Sequence, residues 1–351
     1  MGYIKDGQGV IKRQKPHLVH YGKITDNILP GNGHDLFIKS LTVNGGVLNK
    51  VTSSTSSTSR HAFNWQLDRI RDPEDPIYDH RTVDGKPTYG SLAAQLLADT
   101  NPSRPVVDLP VFIAELRDFP QLLKHEGNLI RKAASLNLSY QFGIKPMVSD
   151  LLKLIDFSDE VNKREKELNA LARSGLRRKR QLWSGTKTAT GSTQYFQSLD
   201  FLRKGKIDYN THTKFWGYVE WYPTYPYKFM FADRRSLARK AVLGLTVDFA
   251  TAWELMPWSW LIDWCSNAGD ILISSRNIID ATHSVPLIMK ETKTTGSCKD
   301  IADDVSAFTF VNHRKERDRT NATLSAQLPI LTARQFSILG SIGVTRRLPR
   351  R

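Results

Sequence analysis

Residues 253–270 read WELMPWSWLIDWCSNAGD, a stretch with four tryptophans. Pro257 suits the first turn of a helix, where its missing N–H group is not needed, and is unfavourable deep inside a preceding helix. The sequence therefore predicts one helix that ends near Met256 and a second that begins just after it. Because a tryptophan ring buries a large area and its N–H needs only one partner, we interpret these rings as core residues; ligand binding or base stacking is the alternative.

The flanking residues predict that both helices are amphipathic. Upstream, apolar residues recur every fourth position, at Leu237, Ala241, Leu245, Phe249 and Trp253. Downstream, one helix places Trp258, Leu261, Ile262, Cys265 and Leu272 on an apolar stripe and Asp263, Asn267, Asp270 and Ser274 on a polar one. Two carboxylates on one face, Asp263 and Asp270, are compatible with a metal site, but a solvated or helix-capping face is the favoured interpretation.

Two segments carry a resemblance to a known family. The tryptophan segment resembles the ELxPWSWLxDW helix pair of the maturation proteins, also called A proteins, of the small positive-strand RNA bacteriophages (leviviruses). Residues 140–146, YQFGIKP, are similar to that family's Y-x-F-G-x-x-P segment, which precedes a long helix. The residues that carry these two matches are Tyr140, Phe142, Gly143, Pro146, Trp253, Pro257, Trp258, Trp260, Asp263 and Trp264. Weaker similarities lie at 115–120 and 335–337, and about the first ninety residues match nothing in the family.

The resemblance implies a fold, a function and a location. The fold is α+β, an elongated and bent molecule in which a helix bundle joins an antiparallel β region. One copy per virion replaces coat protein in the capsid, binds hairpins near the 3′ end of the genomic single-stranded RNA, and attaches to a host pilus for genome entry. The implied locations are the virion and, during assembly, the host cytoplasm. Some family members also lyse the host by blocking a cell-wall enzyme, which is a lesser alternative here.

Charge points independently to a polyanionic partner. The chain of 351 residues has a net charge of +15 and a pI near 9.7, which favours nucleic acid first and an anionic membrane surface second. The apolar runs are far shorter than the roughly 18 residues of a spanning helix, and the first residues lack the apolar stretch of a signal peptide, so we expect no membrane-spanning segment and no export. Cys265 and Cys298 fit neither a zinc site nor a disulfide framework and are expected to be free thiols.

The pattern of turns and periodicity alternates between strand and helix along the chain. We predict strands of the β region at 1–90, bundle helices at 91–176, β hairpins at 177–231, the helix pair with the tryptophan corner at 232–282, strands at 283–325, and a C-terminal helix with a basic tail at 326–351. Within the bundle, helices are broken at Pro110 and Pro120, and one long charged helix runs from Val148 to Ser174 and ends at Gly175. Such blocks favour an α+β protein whose sheet and bundle are each assembled from non-contiguous segments.

Three basic clusters are the candidate RNA-binding residues. They are Arg173, Arg177, Arg178, Lys179 and Arg180; Arg234, Arg235, Arg239 and Lys240; and Arg346, Arg347, Arg350 and Arg351. The dipole at a helix C-terminus accounts for one or two cations of the first cluster. The repulsion among all five cations is relieved best by bound phosphate groups. The second cluster opposes a helix dipole, and a solvated face is its alternative. The third is interpreted as a basic arm that becomes ordered on nucleic acid.

Signals for base stacking and for catalysis are weak. Trp183, next to the first cluster, and Tyr195 or Phe196 in the following hairpin are the candidate stacking aromatics. HExxH, Walker and GxSxG motifs are absent, and the histidines lie apart, so we predict no catalytic residues, no metal and no cofactor. The alternative from another class is a cellular RNA-binding protein or a metal-dependent RNA-processing enzyme with Asp263 and Asp270 as ligands.

Overall fold

The computed structural model describes residues 4–5, 11–15, 18–26, 36–46, 72–122, 129–191, 194–198, 201–246, 248–256, 259–299, 307–326 and 331–347. The protein has an α+β fold, as predicted. The chain forms two compact units. The β unit comprises Met1–Pro87, Gln181–Gly217 and Leu287–Thr320, and the helical unit comprises Thr88–Arg180, Tyr218–Pro286 and Asn321–Arg351. Each unit is therefore assembled from non-contiguous segments, as predicted.

An antiparallel sheet dominates the strands of the protein. The strands are β1 (Ile4–Lys5), β2 (Ile11–Lys15), β3 (Leu18–Asp26), β4 (Leu36–Gly45), β5 (Leu176–Thr190), β6 (Gln194–Ser198), β7 (Phe201–Gly205), β8 (Ile207–Pro223), β9 (Ala281–His283), β10 (Leu287–Cys298) and β11 (Phe308–Arg319). The order in the sheet is β1-β2-β3-β4-β11-β10-β8-β5, with β9 paired to β8, whereas β6 and β7 form a separate hairpin. Strand β10 pairs with β11 along its whole length, from Leu287 opposite Arg319 to Cys298 opposite Phe308.

Side chains alternate between the two faces of this sheet. In β8, every second residue from Ile207 to Phe215 is almost fully buried, including Tyr209, Thr211 and Thr213, while Asp208, Asn210 and His212 between them are exposed. Successive side chains of a strand point to opposite faces of the sheet, so this alternation allows β8 to bury one row of side chains while the other row faces outward. The buried face is covered by a short 3-10 helix, Pro76–Tyr78, whose Tyr78 ring lies edge-on to Phe310 at 4.9 Å between centroids.

The helical unit contains most of the helices and one irregular turn. The helices are α1 (Tyr89–Thr100), α2 (Leu109–Leu122), α3 (Leu129–Ser139), α4 (Lys145–Ile155), α5 (Phe157–Ser174), α6 (Pro226–Met230), α7 (Arg234–Leu243), α8 (Phe249–Leu255), α9 (Ser259–Cys265), α10 (Ala268–Ser274) and α11 (Ala333–Arg347). A π-helical turn, Tyr140–Ile144, connects α3 to α4. In the part of the chain that the structure describes, no helix has the length and apolar character that crossing a membrane requires. Cys265 and Cys298 are not joined by a disulfide bond.

Several predicted helix boundaries are wrong. The long helix from Val148 to Ser174 is two helices, because the backbone at Asp156 leaves the helical region (ψ 14°). Pro120 does not break α2, which continues to Leu122. This proline lies two residues before the end of the helix, where its missing N–H group removes only one of the last backbone hydrogen bonds. The residues 226–230, predicted to belong to β hairpins, form the short helix α6, and Pro226 begins it.

The upstream apolar period does not form one helix either. Helix α7 ends at Leu243, and Gly244 follows in the left-handed conformation (φ 57°), where a side chain would also approach Pro105 to 3.1 Å. Glycine adopts this conformation without the steric penalty of a Cβ, and it therefore ends helices often. Leu245 and Phe249, which were placed on the apolar stripe, are 48% and 82% exposed.

The tryptophan segment forms the predicted corner, with one additional break. Helix α8 ends at Leu255 and α9 begins at Ser259, while Pro257 and Trp258 lie outside the described residues. The downstream helix is not continuous, because α9 ends at Cys265 and α10 begins at Ala268. Asp263 holds this corner together: its carboxylate accepts hydrogen bonds from Trp253 Nε1 (3.1 Å) and from the Gly269 N–H (2.9 Å).

The two segments that carry the family resemblance pack against each other. Phe142, in the π-helical turn, lies 4.7 Å from Trp260, and Trp260 contacts Trp264 edge-on at 4.9 Å. Both tryptophans are half-buried, in agreement with a packing role. Of the other motif residues, Gly143 is buried, Pro146 is half-buried and Tyr140 is 53% exposed.

An ion cluster lies in the interior of the helical unit. The Arg276 side chain is 2% exposed and contacts Asp108 at 2.5 Å, Asp248 at 3.3 Å and the Thr251 hydroxyl at 2.9 Å. Asp248 is also the N-cap of α8 and accepts the Thr251 N–H at 2.9 Å. A buried guanidinium requires such partners, so this cluster fixes α8 on the rest of the helical unit.

Candidate nucleic-acid interface

The first basic cluster surrounds a helix-to-strand junction. Helix α5 ends at Ser174, Gly175 adopts a positive φ of 78°, and β5 begins at Leu176. The Tyr222 ring lies against this glycine, where a Cβ would come within 2.8 Å of its Cε1. The junction therefore needs glycine both for its backbone conformation and for the close approach of the ring.

Two arginines of this cluster have carboxylate partners. Arg177 pairs with Glu220 at 2.7 Å, although its own side chain is 76% exposed. Hydrogen bonds from Tyr218 and Tyr222, together with the Arg177 guanidinium, hold the pKa of Glu220 below its usual range. Arg178 pairs with Glu167 of α5 at 2.7 Å, and its Nε is buried. Lys179 is exposed and also interacts with another group of the chain.

The second cluster lies on α7, whose N-terminus is capped. Asp233 accepts hydrogen bonds from the N–H groups of Arg235 (3.1 Å) and Ser236 (3.2 Å). This carboxylate offsets the unfavourable position of cations at a helix N-terminus. The Arg234 side chain is half-buried and donates to Asn169 of α5 at 2.6 Å. Arg234 therefore has a packing role that its position in the sequence did not reveal.

The fold brings the two clusters together. Helices α5 and α7 pack against each other. Asn169, which holds Arg234, lies one helical turn before Arg173, so the start of α7 lies beside the last turns of α5. Cations from segments that are distant in the sequence thus share one region of the helical unit.

Five cations of these clusters are exposed and form no ion pair or side-chain hydrogen bond with any described residue. They are Arg173, Arg180, Arg235, Arg239 and Lys240. The paired residues, Arg177 and Arg178, are largely neutralised by Glu220 and Glu167. The five free cations therefore carry the excess positive charge of this region, and Arg235 and Arg239 lie one turn apart on α7.

The third cluster differs from the prediction. Arg346 and Arg347 belong to the last turn of α11, so for these two residues the prediction of an arm without structure of its own is wrong. Helix α11 packs against α3, where Asn137 donates to Ser337 (3.0 Å) and Ser341 (2.8 Å). The side chains of both arginines, and Arg350 and Arg351 altogether, lie outside the described part of the chain.

The three predicted stacking aromatics lie on strands of the β unit. Trp183 belongs to the β unit, is half-buried, and lies edge-on to the buried Phe215 at 5.9 Å between centroids. Tyr195 and Phe196 are in β6, and the positions of their side chains are outside the described part.

A different aromatic segment, missed in the sequence, lies in the helical unit. Tyr225, Tyr227 and Phe231 are 60%, 78% and 73% exposed. The letters YPYKFMF at 225–231, immediately before the second basic cluster, were the available signal, but this stretch was assigned to β hairpins because aromatics are also common in strands.

The acidic residues considered as metal ligands have other surroundings. Asp263 caps α10 and holds Trp253. Burial, helped by the nearby Asp99 and Asp263, raises the pKa of Asp270 to about 6. Among the described residues there is no group of three or more His, Cys, Asp or Glu side chains that could hold a metal ion.

Comparison with known proteins does not assign a family. No protein-family profile matches the chain, and no curated protein is significantly similar to it.

Proposed function

We propose that this chain is the maturation protein of a small RNA bacteriophage, a binding protein rather than an enzyme. In this proposal the helical unit binds hairpins of the genomic single-stranded RNA near its 3′ end. A single copy takes a place among the coat proteins of the virion, and the β unit attaches to a host pilus. The observation that carries the proposal is the set of five free cations on and beside the packed helices α5 and α7.

Cations without a carboxylate partner contribute most to the binding of a polyanion by a basic surface. A cation that already has a carboxylate partner, such as Arg178 with Glu167, gains little from a phosphate because the existing pair must be separated. Arg173, Arg180, Arg235, Arg239 and Lys240 have no such pair with any residue that the structure describes. Binding of RNA to these residues releases condensed counterions from the phosphates, which is the main source of nonspecific affinity for nucleic acid.

The contact between the two motif segments supports the family part of the proposal. Phe142 and Trp260 come from the two stretches that resemble the family, and their rings are in contact. This contact gives the two segments one shared structural role, which supports reading both similarities together.

The proposed mechanism uses two binding surfaces on one protein. A retracting pilus would pull the protein from the capsid, and the RNA bound to the helical unit would follow it into the cell. The assembly takes place in the host cytoplasm, where the protein first meets the genome.

The test is ultraviolet crosslinking of the protein expressed together with its own phage genome, followed by sequencing of the attached RNA and mapping of the attached peptides. Discrete peaks at hairpins near the 3′ end, attached to peptides containing Arg173, Arg180 or Arg235, are expected. A variant with Arg117→Gln and Lys145→Gln, two exposed cations on α2 and α4, is the matched control and should keep the peaks. Diffuse crosslinks along the genome, unchanged by Arg235→Gln and Arg239→Gln, would contradict the proposal.

A further inference from the structure

The exposed rings at 225–231 are held by a well-anchored element. Helix α6 is fixed by Phe229, which is 5% exposed, and it contacts α5. The preceding Thr224 donates its N–H to the Asp280 carbonyl at 2.9 Å. The rings of Tyr225, Tyr227 and Phe231 are therefore displayed on the surface by a helix whose other side is packed.

Such exposure is unfavourable unless a partner covers the rings. Each aromatic side chain buries a large apolar area when it is packed, and these three keep most of that area in water. Single exposed apolar residues are common on protein surfaces, but neighbouring aromatic rings usually mark an interaction site.

The geometry of the rings leaves room for a flat ligand. Tyr227 and Phe231 are 5.0 Å apart between centroids with their planes at 64°, an edge-to-face arrangement. In this arrangement the two rings do not cover each other's faces completely, so an additional planar group can stack on them.

The surroundings of the segment determine the kind of partner. Both α6, which displays the rings, and α7, which carries Arg235 and Arg239, pack against α5. Before the aromatic segment, the Tyr222 ring lies against Gly175, which is between Arg173 and Arg177 in the sequence. Lys228, within α6, is 77% exposed and forms an ion pair with Asp280 at 3.7 Å.

The nearby carboxylates are already engaged. Glu220 is shared by Arg177, Tyr218 and Tyr222, and Asp233 caps α7. Rings next to free cations, with acidic groups occupied, are the combination by which proteins bind single-stranded nucleic acid: cations follow the phosphates and rings stack on the bases.

We propose that Tyr225, Tyr227 and Phe231 form a stacking platform for unpaired bases of single-stranded RNA, whose phosphates contact Arg173, Arg235 and Arg239. This inference rests on the proposed RNA-binding function and refines it: the site selects unpaired loops over paired stems. A fully paired RNA presents phosphates to the cations but no free base face to the rings.

The test compares a short single-stranded oligoadenylate containing 2-aminopurine with an RNA duplex of the same length. Tyr227→Ala and Phe231→Ala should each weaken binding of the single strand by about 5- to 150-fold and abolish most of the 2-aminopurine quenching, with no change for the duplex. Tyr227→Phe, which keeps the ring, should bind like the unaltered protein. Phe249→Ala removes an equally exposed ring that lies on α8 rather than on or beside α6, and it should have no effect.

The outcomes separate this inference from the function on which it rests. If the unaltered protein binds both RNAs and the ring variants lose nothing, or lose both RNAs equally, the platform is refuted while RNA binding stands. If the unaltered protein binds neither RNA, the proposed function fails as well. If the ring variants instead lose binding to vesicles of anionic phospholipid while RNA binding is unchanged, the rings belong to a membrane contact and the inference is wrong.

Discussion

Removing two of the free cations should change the salt dependence of RNA binding by a predictable amount. In the double variant Arg235→Gln and Arg239→Gln, α7 keeps its cap at Asp233 and the buried contact of Arg234 with Asn169. Both altered side chains are exposed and lack a partner among the described residues, so the fold should be preserved.

The magnitude follows from the number of phosphate contacts. Five free cations correspond to a slope of log affinity against log salt of about −3.5 for single strands, at about −0.7 per contact. Between about 50 and 200 mM salt, this slope weakens binding by roughly 100-fold, whereas the three cations that remain in the double variant give a slope of about −2.1 and a change of roughly 20-fold. A paired RNA gives somewhat steeper slopes, about −0.9 per contact.

The assay is fluorescence anisotropy of a labelled hairpin from the 3′ region at several salt concentrations. The variant with Arg117→Gln and Lys145→Gln has the same net charge as the test variant, because each replaces two cations, and it should keep the original slope. If both variants reduce the slope equally, RNA responds only to the total charge, and the assignment of the interface to α5 and α7 is refuted. An unchanged slope in the test variant would refute it as well.

The remaining predictions concern the helical unit. Burial raises the pKa of Asp270 from its ordinary value of 3.8 to about 6, so its contribution to stability is complete below about pH 4 and is lost as the pH rises through 6. Asp270→Asn should therefore raise the free energy of unfolding at pH 7 by about 1 to 2 kcal/mol, allowing for solvent screening, and leave it unchanged at pH 4, as urea titrations would show. Arg276→Met leaves Asp108 and Asp248 without their buried partner and should lower the free energy of unfolding by about 3 to 5 kcal/mol; a smaller loss when Asp108→Asn is added would confirm the coupling, and additive losses would exclude it. Trp260→Ala should lower stability by about 3 kcal/mol without changing RNA affinity per folded molecule; normal thermal unfolding with lost RNA binding would show that the ring is not a core residue.

Local sequence signals were sufficient for much of the fold. The alternation in β8, the helix stop at Gly175 and the corner after Met256 were predicted correctly, because each depends on a period or on the conformational preference of one residue. The breaks at Gly244 and after Cys265 were missed, because the apolar period continues across both. A period shows which residues share a face only while the helix is continuous.

The interface was only partly predictable for a different reason. The sequence identified the basic clusters, but whether a cation is free depends on partners that are distant in the chain. Arg178 meets Glu167 and Arg234 meets Asn169 only because α5, β5 and α7 come together in the fold. The exposure of Tyr227 could not be predicted either. An aromatic residue next to a strand is usually interpreted as a core residue until the residues that surround it are known.

The residues that resemble the family most closely are those least suited to bind RNA. Trp260 and Phe142 are in contact with each other, and Asp263 uses its carboxylate to hold Trp253 and to cap α10. These contacts join the segments that form the corner, and they engage the Asp263 carboxylate and part of the surface of both rings. In the proposed function, RNA binding depends instead on exposed residues without a distinctive sequence pattern, such as Arg235 and Tyr227. Under the proposed function, the two motif segments would therefore hold the corner of the helical unit, and the choice of RNA hairpin would depend on the exposed cations and rings.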